Sequence, residues 1–189
     1  MAMPDLVRRY TVPDLESFPN DGKKYELIRG ELSVSPAPSM IHQIVVRRMS
    51  ILLGKYLEPF GLVDTLFDVA ADISWNDETL VQPDILVTRL EELTGRWSAV
   101  QNLRLAVEVV SPGSYRRDRL DKRLLYQERR VETYWVVDPD AELVEEWHPD
   151  DERPLIVADT LRWRVTPLAT QLEIELRALF RDLPRGDQG

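Results

Sequence analysis

The sequence predicts an α/β domain, because segments with the periodicity of strands alternate along the chain with segments of helical periodicity. Residues 25–34 alternate about Gly30, which indicates two short strands joined by a tight turn. Residues 40–56 and 115–130 repeat apolar residues at spacings of three and four, which indicates two amphipathic helices. With 189 residues and 43% hydrophobic content, the chain is long enough to bury one core.

The composition predicts a single domain and excludes any chemistry that depends on cysteine. We expect an arm or lead-in at residues 1–22, one domain at 23–183 and a frayed tail at 184–189. The chain has no cysteine, which rules out disulfides, thiolate zinc sites and a cysteine nucleophile. No apolar run approaches the roughly 20 residues that span a bilayer, and residues 1–10 lack the apolar centre of a secretory signal. We therefore expect a cytoplasmic protein without a membrane partner.

Charge is distributed unevenly along this acidic chain. The net charge of −9 argues against coating nucleic acid by bulk electrostatics, because such binding needs Lys and Arg to neutralise phosphates. Residues 116–130 nevertheless hold seven basic residues against three acids, whereas residues 138–159 hold nine acids against Arg153. The two stretches are either a local basic rim beside an acidic face or simply two solvated surfaces.

Further segments complete the predicted order of elements. Ser39 is a plausible N-cap for the helix at 40–56, and His42 lies in its first turn. Later segments are predicted as strands at 61–67, 70–75, 85–87, 103–110, 132–138 and 143–147, then short strands and a turn of helix near 177–183. The run at 132–138 is almost continuously apolar, as expected in the middle of a sheet, so Tyr134 and Trp135 should be core residues.

Two carboxylates interrupt apolar strand segments. Asp84 lies in Gln82-Pro83-Asp84-Ile85, and Glu108 lies inside Ala106-Val107-Glu108-Val109-Val110. A charge in such a run is costly unless a cation or donor meets it, and two nearby carboxylates do not both stay ionised without a cation. Magnesium and manganese prefer carboxylate, carbonyl and water ligands. The pair therefore predicts a metal site.

Lys122 is the candidate cation for this site. It follows Glu108 by fourteen positions, in the first turns of the helix predicted at 115–130. From there its side chain can lean back over the edge of the sheet. A metal, a lysine and an ordered water form a hydrolytic centre, because the metal stabilises charge on a phosphate and acidifies water.

A set of short motifs in a fixed order resembles the Uma family of candidate endonucleases, within the restriction-endonuclease-like superfamily with the PD-(D/E)XK motif. The motifs cover about residues 25–147. They are Tyr25-Glu26-Leu27-Ile28-Arg29-Gly30-Glu31-Leu32, Ser35-Pro36-Ala37-Pro38 with His42, Gln82-Pro83-Asp84, Glu108-Val109-Val110-Ser111-Pro112, Asp118 through Lys122 to Tyr126, and Tyr134-Trp135-Val136-Val137-Asp138-Pro139.

The resemblance implies a restriction-endonuclease-like fold, in which helices flank a central mixed β-sheet. It implies Asp84 and Glu108 as ligands of Mg²⁺ or Mn²⁺, with the carbonyl of Val109 as a third ligand. The plain superfamily motif has a lysine two residues after the second acid, where this chain has Val110, so the resemblance implies that the lysine has moved to Lys122.

The remaining expectations concern the substrate and further site residues. Glu26 and His42 match other family positions and are expected to complete the metal shell or position water. The expected reaction is hydrolysis of DNA phosphodiester bonds by metal-activated water. Arg116, Arg117 and Arg119 are the candidate phosphate contacts, and superfamily members that dimerise imply a homodimer.

Two other functions stay open at this point. One is a non-catalytic module with the same fold, serving in a defence or mobile-element complex, in which the acids are structural. The other is hydrolysis of a small phosphoester, which the acidic surface tolerates better than duplex binding. Each motif also has a structural interpretation: Asp84 as a strand cap, Lys122 and the arginines as a solvated face, and Glu26 and His42 as satisfied structural residues.

Overall fold

A computed structural model describes residues 8–68, 71–111 and 113–184. In these ranges the strands are β1 (Lys24–Ile28), β2 (Glu31–Ser35), β3 (Leu66–Phe67), β4 (Ile73–Asn76), β5 (Thr79–Val81), β6 (Ile85–Thr88), β7 (Leu103–Val109), β8 (Tyr134–Asp138), β9 (Leu143–Trp147), β10 (Leu155–Val157), β11 (Thr160–Trp163) and β12 (Leu172–Glu175). The α-helices are α1 (Val12–Leu15), α2 (Met40–Leu57), α3 (Tyr115–Arg117), α4 (Arg123–Glu128) and α5 (Leu176–Leu179). A π-helical segment (Asp118–Lys122) joins α3 to α4, and residues 115–128 are called the Lys122 helix below.

Three sheets organise these strands. The largest is mixed, with the order β10-β9-β8-β7-β6-β3, and its β7–β8 pair is parallel. A second, antiparallel sheet has the order β2-β1-β5-β4, and β11 pairs with β12. The prediction of a central mixed sheet flanked by helices is confirmed.

Strand β7 runs through the middle of the large sheet and separates two apolar clusters. Successive side chains of a strand point to opposite faces, so Leu105, Val107 and Val109 pack in the cluster that contains residues of α2. Ala106 and Val110 pack in the opposite cluster. Glu108 therefore projects from the face opposite α2, among apolar neighbours.

The Lys122 helix is the crossover between the parallel strands β7 and β8. A parallel pair needs a long connection, usually helical, and this one begins just beyond the end of β7. The helix therefore starts close to Glu108. Trp135 and Tyr134 of β8 are 0% and 2% exposed, which confirms that they are core residues.

Local signals predicted several elements correctly. The hairpin β1–β2 turns at Arg29 and Gly30, both with positive φ. Ser39 caps α2, and its side chain accepts a hydrogen bond from the backbone N–H of His42.

The prediction of a strand at residues 61–67 is wrong for most of that segment. Glu58–Phe60 and Val63–Thr65 form 3₁₀ turns, and only Leu66–Phe67 is a strand. Gly61 has a φ of 68°, a left-handed conformation that ends the helical stretch and prevents an extended one. The strand predicted at 70–75 is β4, which begins at Ile73, and residue 70 lies outside the described residues.

The predicted apolar stripe of the Lys122 helix is only partly buried. Leu125 is 1% exposed, but Leu120 and Leu124 are 43% and 45% exposed. The π segment breaks the 3.6-residue period on which the prediction depended. The terminal helix turn is also shifted and spans Leu176–Leu179. Within the described ranges, none of the helices is long and apolar enough to cross a membrane.

Candidate functional site

The pairing of β6 with β7 brings Asp84 and Glu108 together. The antiparallel register pairs Ile85 with Val107, and extending it by one residue places Asp84 opposite Glu108. The backbone N–H of Asp84 donates to the carbonyl of Val107 at 3.0 Å. The backbone N–H of Val109 in turn donates to Oδ2 of Asp84 at 2.9 Å. Two backbone hydrogen bonds thus fix the aspartate at the start of its strand.

Two further side chains hold Asp84. His42 Nε2 lies 2.9 Å from Oδ2 of Asp84. Ser39 caps α2, so His42 lies in the first turn of this helix, next to the edge of the sheet. Lys24 Nζ, from the first residue of β1, lies 2.6 Å from Oδ1. Nδ1 of His42 is buried and has no hydrogen-bond partner among the described residues. The carboxylate is 6% exposed, so these contacts replace water around its charge.

Glu108 is enclosed by the Lys122 helix. Lys122 Nζ donates to its Oε1 at 2.7 Å, and the Tyr126 hydroxyl donates to the same oxygen at 3.1 Å. The side chains of Glu108 and Lys122 are each 3% exposed. The predicted approach of Lys122 to the acid pair is therefore present in the structure.

Glu26 of β1 joins the cluster from the second sheet. Its Oε1 lies 2.9 Å from Lys122 Nζ and accepts the backbone N–H of Gln82 at 2.8 Å. Its Oε2 accepts from Arg117 at 3.0 Å. Glu26 is 2% exposed, so its charge depends on these donors.

The π segment aims two charged side chains inward. Asp118 and Lys122, its first and last residues, are both buried, and Lys122 Nζ lies 3.6 Å from Asp118 Oδ1. Tyr134 donates its hydroxyl to the backbone carbonyl of Asp118 at 2.9 Å, which anchors this turn to β8. π-helical turns occur often at functional sites. Lys122 thus reaches three acids contributed by three different elements.

Two of the acids have pKa values below their usual range. Burial raises the pKa of Asp84, but its hydrogen bond with His42 and the charge of Lys24 outweigh burial and lower the pKa. Burial likewise raises the pKa of Glu26, and the charges of Lys122 and Arg117 outweigh it and lower the pKa. Both groups are carboxylates at neutral pH.

Glu108 is different. Burial raises its pKa most, the neighbouring charges of Asp84 and Asp118 raise it too, and the charge of Lys122 opposes them, so that the pKa lies at about 8. Burial lowers the pKa of Lys122, but its acidic neighbours outweigh burial and raise the pKa above its usual range. Lys122 therefore stays an ammonium, while Glu108 keeps a proton through much of the neutral range.

Comparison of the sequence with models of known protein families identifies one that matches this chain. The Uma2 family, described as "Putative restriction endonuclease", matches residues 12–178. The chain belongs to the Uma2 family. That match covers most of the chain and every residue of the cluster described above.

A solved structure shares the Uma2 fold of this chain. It is described as a "putative nuclease belonging to DUF820" from Anabaena variabilis. The TM-score is 0.72 at 18% identity, and the alignment covers 90% of this chain and 97% of that one. None of the curated proteins matches the sequence.

The donor set of this Uma2 chain fits a hard divalent cation in its chemistry. In the described residues the cluster brings four acids (Glu26, Asp84, Glu108 and Asp118) against three cations (Lys24, Arg117 and Lys122). One negative charge is in excess when all are ionised, and the neighbouring acids Asp84 and Asp118 add to the effect of burial in raising the pKa of Glu108. A divalent cation at Asp84 and Glu108 would relieve it.

Lys24 and Lys122 contact the same carboxylate oxygens of Asp84 and Glu108 that would have to bind a metal ion. Across residues 8–68, 71–111 and 113–184, no three His, Asp or Glu side chains are already arranged to hold a metal ion. Lys24 instead contacts Asp84 at 2.6 Å, and Lys122 contacts Glu108 at 2.7 Å. Binding of a metal therefore requires at least one of these ammonium groups to move.

The three arginines predicted to contact phosphate lie in different environments. Arg116 is exposed. Arg117 is bound to Glu26, and Arg119 is bound to Asp138 and Glu145, with side-chain exposures of 15% and 16%. The guanidinium of Arg119 also lies 3.5 Å from the centre of the Tyr115 ring. Arg116 is thus the member of this set with its charge in solvent.

Sequence reasoning missed Lys24 and Tyr126 as parts of the cluster, and Asp118 as a partner of Lys122. A signal for Lys24 was present, because Lys24 and Glu26 are two residues apart and therefore share one face of β1. Tyr126 had a weaker signal, since it lies four residues after Lys122 and one helical turn away. Its contact with Glu108 depends on how the Lys122 helix packs against β7.

Proposed function

We propose that this protein is a metal-dependent endonuclease that hydrolyses DNA phosphodiester bonds with Mg²⁺ or Mn²⁺. The observation that supports this most is the convergence of Glu26, Asp84, Glu108 and Lys122, from four segments, into one buried cluster. Membership of the Uma2 family supports nuclease chemistry. The cytoplasmic location and the homodimer stay predictions.

Asp84, Glu108 and the carbonyl of Val109 are the proposed metal ligands. A bound divalent ion would supply Lewis acidity, which activates water for attack and stabilises charge on the phosphate. Asp84 is already ionised and held in place by backbone and His42 contacts. Glu108 must give up its proton when it becomes a ligand, because a metal binds the carboxylate form.

Lys122 and Glu26 have separate proposed roles. The ammonium of Lys122 is fixed beside Glu108, where it orients the attacking water or stabilises charge on the phosphate. Glu26 holds Lys122 and Arg117 in position. His42 orients the Asp84 carboxylate through Nε2. The Lys122 helix covers Glu108 and keeps bulk water away from it.

The deciding experiment combines calorimetric titration of Mg²⁺ or Mn²⁺ with a plasmid-nicking assay. We expect the wild type to bind metal and to nick plasmid only when metal is present, and Asp84→Asn to lose both properties. Asp150→Asn is the matched control, because Asp150 is 81% exposed and pairs with Arg130 on the surface. Failure of the wild type to bind metal at millimolar concentration would overturn the proposal.

Hydrolysis of a small phosphoester is a second candidate, favoured by two observations. The chain carries a net charge of −9, and Arg117 and Arg119 are engaged in ion pairs within the fold. Both observations disfavour a large polyanionic substrate. Metal-dependent cleavage of bis(p-nitrophenyl) phosphate without any nicking of plasmid would select this function over the first.

A further inference from the structure

The two lysines of the site differ in how firmly they are held. Lys122 is 3% exposed and lies near three acids, at 2.7, 2.9 and 3.6 Å. Lys24 is 27% exposed, and within the described residues its ion pair is with Asp84 alone. Lys24 is also the first residue of β1, so its side chain reaches the cluster from the rim. Displacing Lys24 therefore costs far less than displacing Lys122.

The two oxygens of Asp84 also differ. Oδ2 accepts the backbone N–H of Val109 and contacts His42, and both contacts orient the carboxylate. Oδ1 is the oxygen that meets Lys24. A cation that binds Asp84 without disturbing its backbone anchor must therefore approach Oδ1. The ammonium of Lys24 already lies there, 2.6 Å from Oδ1.

We propose that Lys24 is a displaceable counter-ion that occupies the metal subsite at Oδ1 of Asp84 in the metal-free protein. This rests on the proposed function, since it assumes a divalent cation at Asp84 and Glu108. The cation takes the place of the ammonium, and the Lys24 side chain turns toward solvent, where it is already partly exposed. Lys122 stays in place and keeps Glu26 and Glu108 neutralised.

Two measurable properties follow. Metal affinity is lower than the carboxylates alone would give, because every binding event breaks the ion pair between Lys24 and Asp84. Metal binding also releases Lys24, so its amine becomes more reactive toward acylating reagents, whereas an ion-paired ammonium reacts slowly.

The first test compares the metal affinity of two lysine variants by calorimetry with Mg²⁺ and with Mn²⁺. Lys24→Met removes the competing charge and keeps the length of the side chain, so its Kd should fall by about tenfold or more, given the strength of unscreened charge interactions at such distances. Lys23→Met is the matched control, because Lys23 carries the same charge one residue away and pairs with Asp21. Equal affinities for wild type and both variants would overturn the proposal.

The second test needs no substitution and so does not depend on a variant that folds. A brief pulse of acetic acid N-hydroxysuccinimide ester, read by mass spectrometry, reports the reactivity of each lysine with and without Mg²⁺. Lys24 should become several-fold more reactive with metal, while Lys122 stays protected and Lys23 stays unchanged. No change at Lys24 under saturating metal would overturn the proposal.

The outcomes separate this inference from the proposed function. A wild type that binds metal and nicks plasmid, with no effect of Lys24→Met on affinity, contradicts the inference alone. A wild type and a Lys24→Met variant that both fail to bind metal contradict both proposals. Binding by Lys24→Met at concentrations where the wild type binds poorly supports the inference in its strongest form.

Discussion

At the scale of single residues, the raised pKa of Glu108 makes the stability of the protein depend on pH. Its pKa is raised from 4.5 to about 8, so the folded protein binds this proton more tightly than the unfolded chain does. Between these two values the folded state holds more protons, and the free energy of unfolding must therefore fall as pH rises. The window runs from about pH 4.5 to about pH 8.

The first prediction follows from this sign. In EDTA, urea unfolding should give a wild-type free energy of unfolding that declines across that window, and Glu108→Gln should show a flatter dependence because it cannot ionise. Asp150→Asn, an exposed acid, should decline like the wild type. Parallel pH profiles for the wild type and Glu108→Gln would contradict the raised pKa.

Removing the positive charge of Lys122 should destabilise the protein more than any other change in the cluster, because Lys122 lies near three acids. Lys122→Met leaves Glu26 and Asp118 buried without their main counter-ion and should lower the free energy of unfolding by about 3–5 kcal/mol. Lys55→Met changes an exposed lysine of α2 and should stay within about 0.5 kcal/mol of the wild type. Urea unfolding measures both. A loss below 1 kcal/mol for Lys122→Met would contradict the buried ion network.

The sequence identified the acids of the site better than it identified the ion pairs that those acids form. Asp84 and Glu108 stood out because each is a charge inside an apolar run. Lys24 did not, because Lys23-Lys24 before a strand is typical of a solvated surface and only the fold brings β1 to Asp84. Ion pairs of this kind depend on tertiary distances, which local periodicity does not contain.

At the scale of elements, α2 places His42 through its first turn. The Ser39 side chain accepts the backbone N–H of His42 at 3.2 Å and satisfies one of the free donors at the start of the helix. Ser39→Ala should therefore cost about 1 kcal/mol in urea unfolding, and Ser39→Asp should cost little because aspartate also caps. Equal stability of Ser39→Ala and the wild type would show that the cap contributes nothing.

Elements with local signals were predicted and those set by packing were not. The helix at α2 and the hairpin β1–β2 follow from a cap, a period and a turn, all of which lie within a few residues. The π segment has no comparable local signal; its first and last residues, Asp118 and Lys122, are both buried. The exposure of Leu120 and Leu124 follows from that irregular turn.

At the scale of the whole molecule, β10 is an exposed edge of the large sheet. Leu155 and Ile156 are 60% and 53% exposed, which is unusual for apolar residues on an edge strand. Arg153 and Asp159 lie three residues to either side of Ile156. Antiparallel pairing of two copies about Ile156 would therefore place each arginine opposite an aspartate.

This edge is where we expect the predicted homodimer to form. Light scattering after size exclusion should give a dimer for the wild type and a monomer for Ile156→Lys. Leu168→Lys, which alters an apolar residue that is 99% exposed, should stay dimeric. Exchanging the charges in the double variant Arg153→Asp, Asp159→Arg should preserve the dimer, whereas Arg153→Asp alone should weaken it. The same mass for the wild type and Ile156→Lys would exclude this interface.

The ion pairs of the site also join parts of the chain that are made at very different times. Lys24 and Asp84 are 60 residues apart, and Glu26 and Arg117 are 91 residues apart. A chain emerging from the ribosome therefore carries Glu26 and Asp84 well before the segment that neutralises Glu26 exists. Loop closure over such distances is slow, so we expect the hairpin β1–β2 to dock late in folding. The cluster can therefore form only after the Lys122 helix has been made and has packed against β7.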